Sequence, residues 1–141
     1  MIWFLRHGEA ADGDEDFSRP LTKKGERQSI AAGEALASLG IAIDACLTSP
    51  RVRALDTALL ACQTLGIEPE VVEGLSGGRF DAEEVAMGRG EVLLVGHEPD
   101  FSQAIHDLTG ARTEMKKGSL AAVDGHVLVS LLRPAQIKKL S

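Results

Sequence analysis

Short apolar runs that stop at polar, glycine-bearing motifs alternate along this chain with longer segments of helical spacing. That alternation restricts the fold more than any other feature, because strand–helix–strand order favours a parallel sheet covered by helices. Ile2 to Leu5, Ala45 to Thr48 and Val92 to Val95 read as strands, and Glu70 to Val72 as a weaker one. Between them, Ser29, Ala32, Leu36 and Leu39 recur at three and four, on a helix that starts near Leu21 to Lys24 and that Gly40 can end. Ser49-Pro50 suggests an N-cap with proline at the first helical position. Val52, Leu55, Leu59 and Cys62 would be the buried stripe of that helix, stopped by Gly66. Asp81 to Met87 suggests a short helix, and Phe101, Ile105 and Leu108 one face of another, ended by Gly110. Ser119 to Val123 and Val127 to Leu132 flank Asp124-Gly125, a hairpin signal. The last residues, PAQIKKLS, are expected to fray. The expected fold is a single three-layer α/β domain over residues 1–141. Its central sheet would be mostly parallel, with antiparallel edge strands and helices on both faces.

Composition narrows the function. Fifteen Lys and Arg against 21 Asp and Glu give a formal charge of −6, unfavourable for general nucleic-acid or anionic-membrane binding. No apolar run approaches a membrane span, and the amino-terminal residues lack the basic and long apolar regions of a signal peptide. The two cysteines, Cys46 and Cys62, form no CxxC pair and suit a reducing, cytoplasmic setting. Neither His106 nor His126 has metal-ligand spacing to a partner, the aspartates of Asp12 to Asp16 lack EF-hand spacing, and no P-loop or GxGxxG occurs. No metal and no cofactor are therefore expected. Trp3 reads as sheet packing.

In open parallel sheets, ligands bind beyond the carboxyl ends of strands. Three such ends carry the chemistry-bearing residues: Arg6-His7-Gly8, Ser49 to Arg53, and Gly96-His97. A neutral imidazole is a good nucleophile near neutral pH. Guanidinium groups match phosphoryl oxygens with paired donors and keep their charge. His7 as nucleophile, with Arg6, Arg53 and His97 around a phosphate, makes a consistent phosphoryl-transfer site. Gly8 would let the backbone pass close to His7 and the ligand. A backbone carbonyl on the other ring nitrogen of His7 would fix its tautomer. Taken singly, each motif also has a bland reading: a structural histidine, a solvated arginine, a turn.

The run FLRHGEA resembles the signature of the histidine phosphatase (phosphoglycerate-mutase-like) superfamily. RPLTKKG at Arg19 to Gly25, SPRVRALDTA at Ser49 to Ala58 and VGHEPDFS at Val95 to Ser102 follow in that family's order. With the short length, the four motifs look most like the SixA-type phosphohistidine phosphatases, over Met1 to about Leu132. The resemblance implies that His7 becomes phosphorylated and that Arg6, Arg53 and His97 form the phosphate pocket. It implies Arg19 as a substrate-side arginine, with Gly8 and Ser49 assigned to the same side. Arg53 fits the family spacing from Ser49, so Arg51 is expected at the surface. Larger relatives protonate the leaving group with a carboxylic acid from an inserted segment. Here VVEGLSGGRFDAEEV is short and offers Glu73, Asp81, Glu83 and Glu84, of which Glu73, at a strand end, is the best candidate acid. A phosphorylated protein, such as a histidine-containing phosphotransfer domain, is the expected substrate. A phosphatase of small phosphate esters and a non-catalytic phosphoprotein-docking module are the alternatives.

Overall fold

The computed structural model describes all 141 residues. Six strands form one sheet: β1 (Ile2–Arg6), β2 (Ala45–Thr48), β3 (Pro69–Val71), β4 (Val92–Gly96), β5 (Leu120–Asp124) and β6 (Val127–Leu132), in the order β3-β2-β4-β1-β5-β6. β3, β2, β4 and β1 run parallel, while β5 and β6 are antiparallel at one edge. β4 is buried along its whole length, as expected of a parallel strand covered on both faces. The five helices are α1 (Lys23–Ser38), α2 (Val52–Leu65), α3 (Ala82–Ala86), α4 (Asp100–Thr109) and α5 (Pro134–Leu140).

Strand alternation splits the core into two clusters. Trp3, Leu5, Cys46, Leu93 and Val95 face α1, α2 and α5, whereas Phe4, Leu47, Leu94 and Val92 face α4 and the 72–86 segment. This is the expected three-layer arrangement. Trp3 packs in the sheet, and its indole N–H donates to Glu91 at 2.8 Å. Both cysteines are buried and free.

Four local expectations need correction. The buried face of α2 is Ala54, Thr57, Ala58, Ala61 and Cys62; Leu59 is exposed, and Val52 and Leu55 are half-buried. The small residues face inward because α1 approaches very closely: a Cβ on Gly33 would overlap the Ala61 carbonyl. Leu39 caps α1 and is exposed. Ser49 is not the N-cap of α2, which starts at Val52 with Arg51 in that role. The carboxyl-terminal segment is not frayed: Pro134 opens α5, and Ile137 is buried against α1.

Candidate active site

The parallel register fixes the floor of the site. Arg6 pairs with Gly96, and Thr48 with Val95, so the residues that follow leave the sheet side by side. His7 N–H donates to the Gly96 carbonyl and Ser49 N–H to the Val95 carbonyl, each at 3.0 Å, which extends the ladder past the strands. The His7 and His97 rings lie 5.3 Å apart between centroids, and both side chains are buried.

Each imidazole is held differently. His7 Nδ1 lies 2.7 Å from the Gly8 carbonyl oxygen, which can only accept. Nδ1 therefore carries the proton, and Nε2 keeps its lone pair. His97 Nε2 pairs with Ser49 Oγ at 2.7 Å, while its Nδ1 is buried without a partner. Burial pushes the His7 pKa down to about 3; His97 and the Arg53 and Arg6 charges push the same way, against the Gly8 hydrogen bond. Burial, then Arg53 and Arg51, lowers His97 to about 4. Both rings are thus neutral at physiological pH.

The turn after β1 is held by close backbone packing. A Cβ on Gly8 would stand 2.5 Å from the Gly25 carbonyl oxygen, so no larger residue fits there. Gly8 N–H donates to Thr57 Oγ1 at 3.1 Å, and the Thr57 hydroxyl donates to the Arg53 carbonyl at 2.8 Å. Ser29 donates to the Gly25 carbonyl and lies 3.2 Å from Thr57 Oγ1. Thr57 thereby ties the turn that carries His7 to the helix that carries Arg53. Sequence reasoning missed it, although it stands one helical turn after Arg53, on the same face.

The arginines divide into inner and outer groups. Arg6 donates to the Met115 carbonyl at 2.8 Å, and its Nε is buried without a partner. Arg53 is buried; it donates to the Asp16 carbonyl at 2.8 Å and reaches the Asp16 carboxylate at 3.3 Å. Arg19 donates to the Ala11 carbonyl at 3.0 Å and to Asp16 at 3.2 Å. Arg51 is not the plain surface residue expected. It donates to the Ser76 carbonyl and to Asp16, each at 2.6 Å, and stands over the Phe17 ring. Asp16 therefore draws Arg19, Arg51 and Arg53 together. In the sequence the acidic loop offers only the comparison with a calcium ligand set, which does not reveal this role.

None of the candidate acids Glu73, Asp81, Glu83 and Glu84 hydrogen-bonds to this cluster through its side chain. Glu73 follows β3, as expected, but is exposed, and its side chain makes no hydrogen bond or ion pair. Asp81 is engaged as the α3 cap, accepting from Glu84 N–H at 3.1 Å. Glu98, unremarked in the sequence, is half-buried beside His97 and accepts from the Ser102 N–H and hydroxyl at 2.7 and 2.5 Å. Its charge lies close enough to raise the Arg6 pKa against the lowering effect of burial. No three His, Cys, Asp or Glu side chains converge as a metal-binding group.

The family profile described as Histidine phosphatase superfamily (branch 1) matches residues 2–91. The chain belongs to this superfamily. An uncharacterized protein of Picosynechococcus is 37% identical over 134 residues, covering 84% of this chain and 81% of that protein. The mitochondrial serine/threonine-protein phosphatase Pgam5 of Drosophila melanogaster is 34% identical over 115 residues; the match covers 80% of this chain but 37% of Pgam5. Among solved structures, the protein histidine phosphatase SixA complexed with tungstate superposes with a TM-score of 0.84 at 24% identity, covering 97% of this chain and 99% of that one. At that identity the likeness establishes the phosphoglycerate-mutase-like fold. Superfamily membership and fold together support a phosphatase-type hydrolase.

Proposed function

We propose that this protein is a phosphohistidine phosphatase that works through a phosphoryl group carried on His7. The observation that supports it most is the His7 ring itself. It is buried and neutral, its Nδ1 proton is committed to Gly8, and Nε2 is left as the nucleophile beside Arg6, Arg53 and His97.

In the first step the Nε2 lone pair forms a bond to phosphorus. The phosphorus–nitrogen bond to the substrate imidazole breaks, and its electron pair returns to that ring, which leaves as neutral imidazole because its other nitrogen already carries a proton in the reacting phosphohistidine. In the second step water attacks phosphorus, the His7–phosphorus bond breaks, and inorganic phosphate is released as the ring recovers its lone pair. Arg6 and Arg53 balance the charge on the non-bridging oxygens throughout. His97 Nδ1 and Arg6 Nε, both buried and unpartnered, suit hydrogen bonds to those oxygens. Gly8 gives the close approach, Ser49 orients His97, and Arg19 stands on the substrate side through Asp16.

The weak supply of general acids favours a phosphoramidate over an alkyl ester. Imidazole leaves as a base whose conjugate acid has a pKa of about 6.5, whereas an alkoxide needs a proton donor. The test compares kcat/KM for a phosphohistidine protein with values for aryl and alkyl phosphates, alongside trapping of an acid-labile phosphoenzyme. Efficient hydrolysis of phosphohistidine and aryl phosphates, with poor alkyl turnover, is expected. Rapid alkyl turnover that falls a hundredfold in Glu73→Gln would instead make Glu73 an acid and the protein a small-ester phosphatase.

A further inference from the structure

All six lysines of the chain occur as three adjacent pairs, Lys23-Lys24, Lys116-Lys117 and Lys138-Lys139, and all are exposed. One member of the first pair and one of the last, Lys24 and Lys138, line a common groove. The first pair opens α1, the last lies near the end of α5, and the two helices pack together. The middle pair immediately precedes Gly118, which lines the cavity of about 510 Å³ between α1 and α5. Ile30, Ala31, Pro134 and Ile137 supply apolar lining; Lys24, Arg27 and Lys138 supply charge, against the single acidic lining residue Glu34. Two lysines have acidic neighbours, Lys24 with Glu9 at 3.8 Å and Lys116 with Glu114 at 3.5 Å. Lys23, Arg27, Lys117, Lys138 and Lys139 have no ion pair. A chain of net charge −6 thus carries a groove lined by three cationic side chains against one acidic residue.

This groove adjoins the nucleophile turn. Gly118 N–H donates to the carbonyls of both Arg6 and His7, at 3.2 and 3.0 Å. Gln28, which also lines the groove, accepts from Glu9 N–H at 2.9 Å. A molecule lying along α1 and α5 would therefore extend directly from the backbone that holds His7.

We propose that the α1–α5 groove docks an acidic, amphipathic surface of the phosphorylated partner protein while its phosphoryl group reaches His7. The proposal rests on the phosphohistidine reading above and adds the class of partner surface. The concave apolar floor fits protruding aliphatic side chains, and the lysine rim fits carboxylates flanking them. No aromatic residue lines the groove, so it lacks the stacking platform of a single-stranded nucleic-acid site.

The test uses the full chain and, as probe, an acidic histidine-containing phosphotransfer domain phosphorylated chemically on histidine. The variants are the triple changes Lys24→Glu/Arg27→Glu/Lys138→Glu and Lys24→Gln/Arg27→Gln/Lys138→Gln, with an aryl phosphate as the small substrate. For the reversal variant, kcat/KM on the phosphoprotein should fall about 10-fold or more through KM, and the neutral variant should lie between it and wild type. Aryl phosphate turnover should stay within about twofold, and raising salt should depress phosphoprotein turnover in wild type far more than in the variants. Unchanged phosphoprotein kinetics in both variants would overturn the docking proposal alone. So would an equal loss on both substrates in both variants, which would make the groove part of the scaffold of the site. If wild type cleaves aryl phosphate but not the phosphoprotein, the phosphohistidine reading fails, and the docking proposal falls with it.

Discussion

The floor of the site and its rim are built from different interactions. On the floor, His7, Ser49 and His97 leave neighbouring strands at one level, held by ladder hydrogen bonds and buried side chains. On the rim, Arg19, Arg51 and the outer side of Arg53 converge on the half-exposed carboxylate of Asp16. Register on a covered sheet is strongly specified, whereas ion pairs open to solvent contribute about 0–1 kcal/mol each. The contrast teaches that the two histidines are fixed by the fold itself, while the outer arginines hold a carboxylate that, on the proposed function, a phosphoryl group would replace.

Breaking the floor should have the largest effect. His7→Ala should lose turnover by at least about 10³-fold and leave no acid-labile phosphoenzyme on a gel. A phosphoryl group found on His97 or His106 would reverse the assignment. Arg53→Ala comes next: kcat should fall about 10²–10³-fold, as for loss of one preorganised donor to a charged transition state. Arg51→Ala, on the rim, should cost about tenfold or less. Equal losses for the two arginines would mean that the rim is as rigid as the floor.

The neutral floor also makes a prediction about pH. With pKa values near 3 and 4, neither ring should titrate between pH 8 and 5 in the free protein, as followed by imidazole proton NMR shifts. The stability consequence has a definite sign. Below about pH 6.5 the unfolded chain binds protons at these two histidines that the folded chain refuses. Stability should therefore fall as pH drops from about 6.5 toward 4, and His7→Asn, with one fewer such group, should show a shallower fall in Tm. A steeper fall in the variant would contradict the buried, neutral assignment.

The floor was legible in the sequence and the rim was not. Arg6-His7, Ser49 and Gly96-His97 each follow an apolar run directly, and strand order alone brings those run ends to one edge. Asp16 reaches Arg51 and Arg53 across 35 and 37 positions, from a loop without periodicity, so no local pattern announces it. The face of α2 departs from the sequence pattern for a related reason. Counting large apolar residues selects Leu55 and Leu59, but the close approach at Gly33 selects Ala54, Ala58 and Ala61. At α5, seven residues are too few to be stable as an isolated helix, and only packing of Ile137 against α1 holds them.

Asp16→Asn sharpens the comparison with the smallest expected effect. The Asp16 carboxylate is held below its usual pKa, first by its hydrogen bond from Arg19, with desolvation opposing and Arg53 and Arg51 adding smaller lowering effects. It is an anion already seated on the guanidinium groups that a phosphoryl group would use. Removing its charge while keeping its shape should leave Arg53 anchored through the Asp16 backbone carbonyl, which the substitution does not touch. Competition for the guanidinium groups should then ease. Inorganic phosphate should inhibit about threefold to tenfold more tightly, in line with a charge-assisted contact of modest strength in solvent. Turnover of an aryl phosphate should change by less than about threefold, because the floor is intact. A hundredfold loss of kcat at unchanged KM would give the opposite answer: Asp16 would be acting in the chemistry itself, and the rim would be as fixed as the histidines beneath it.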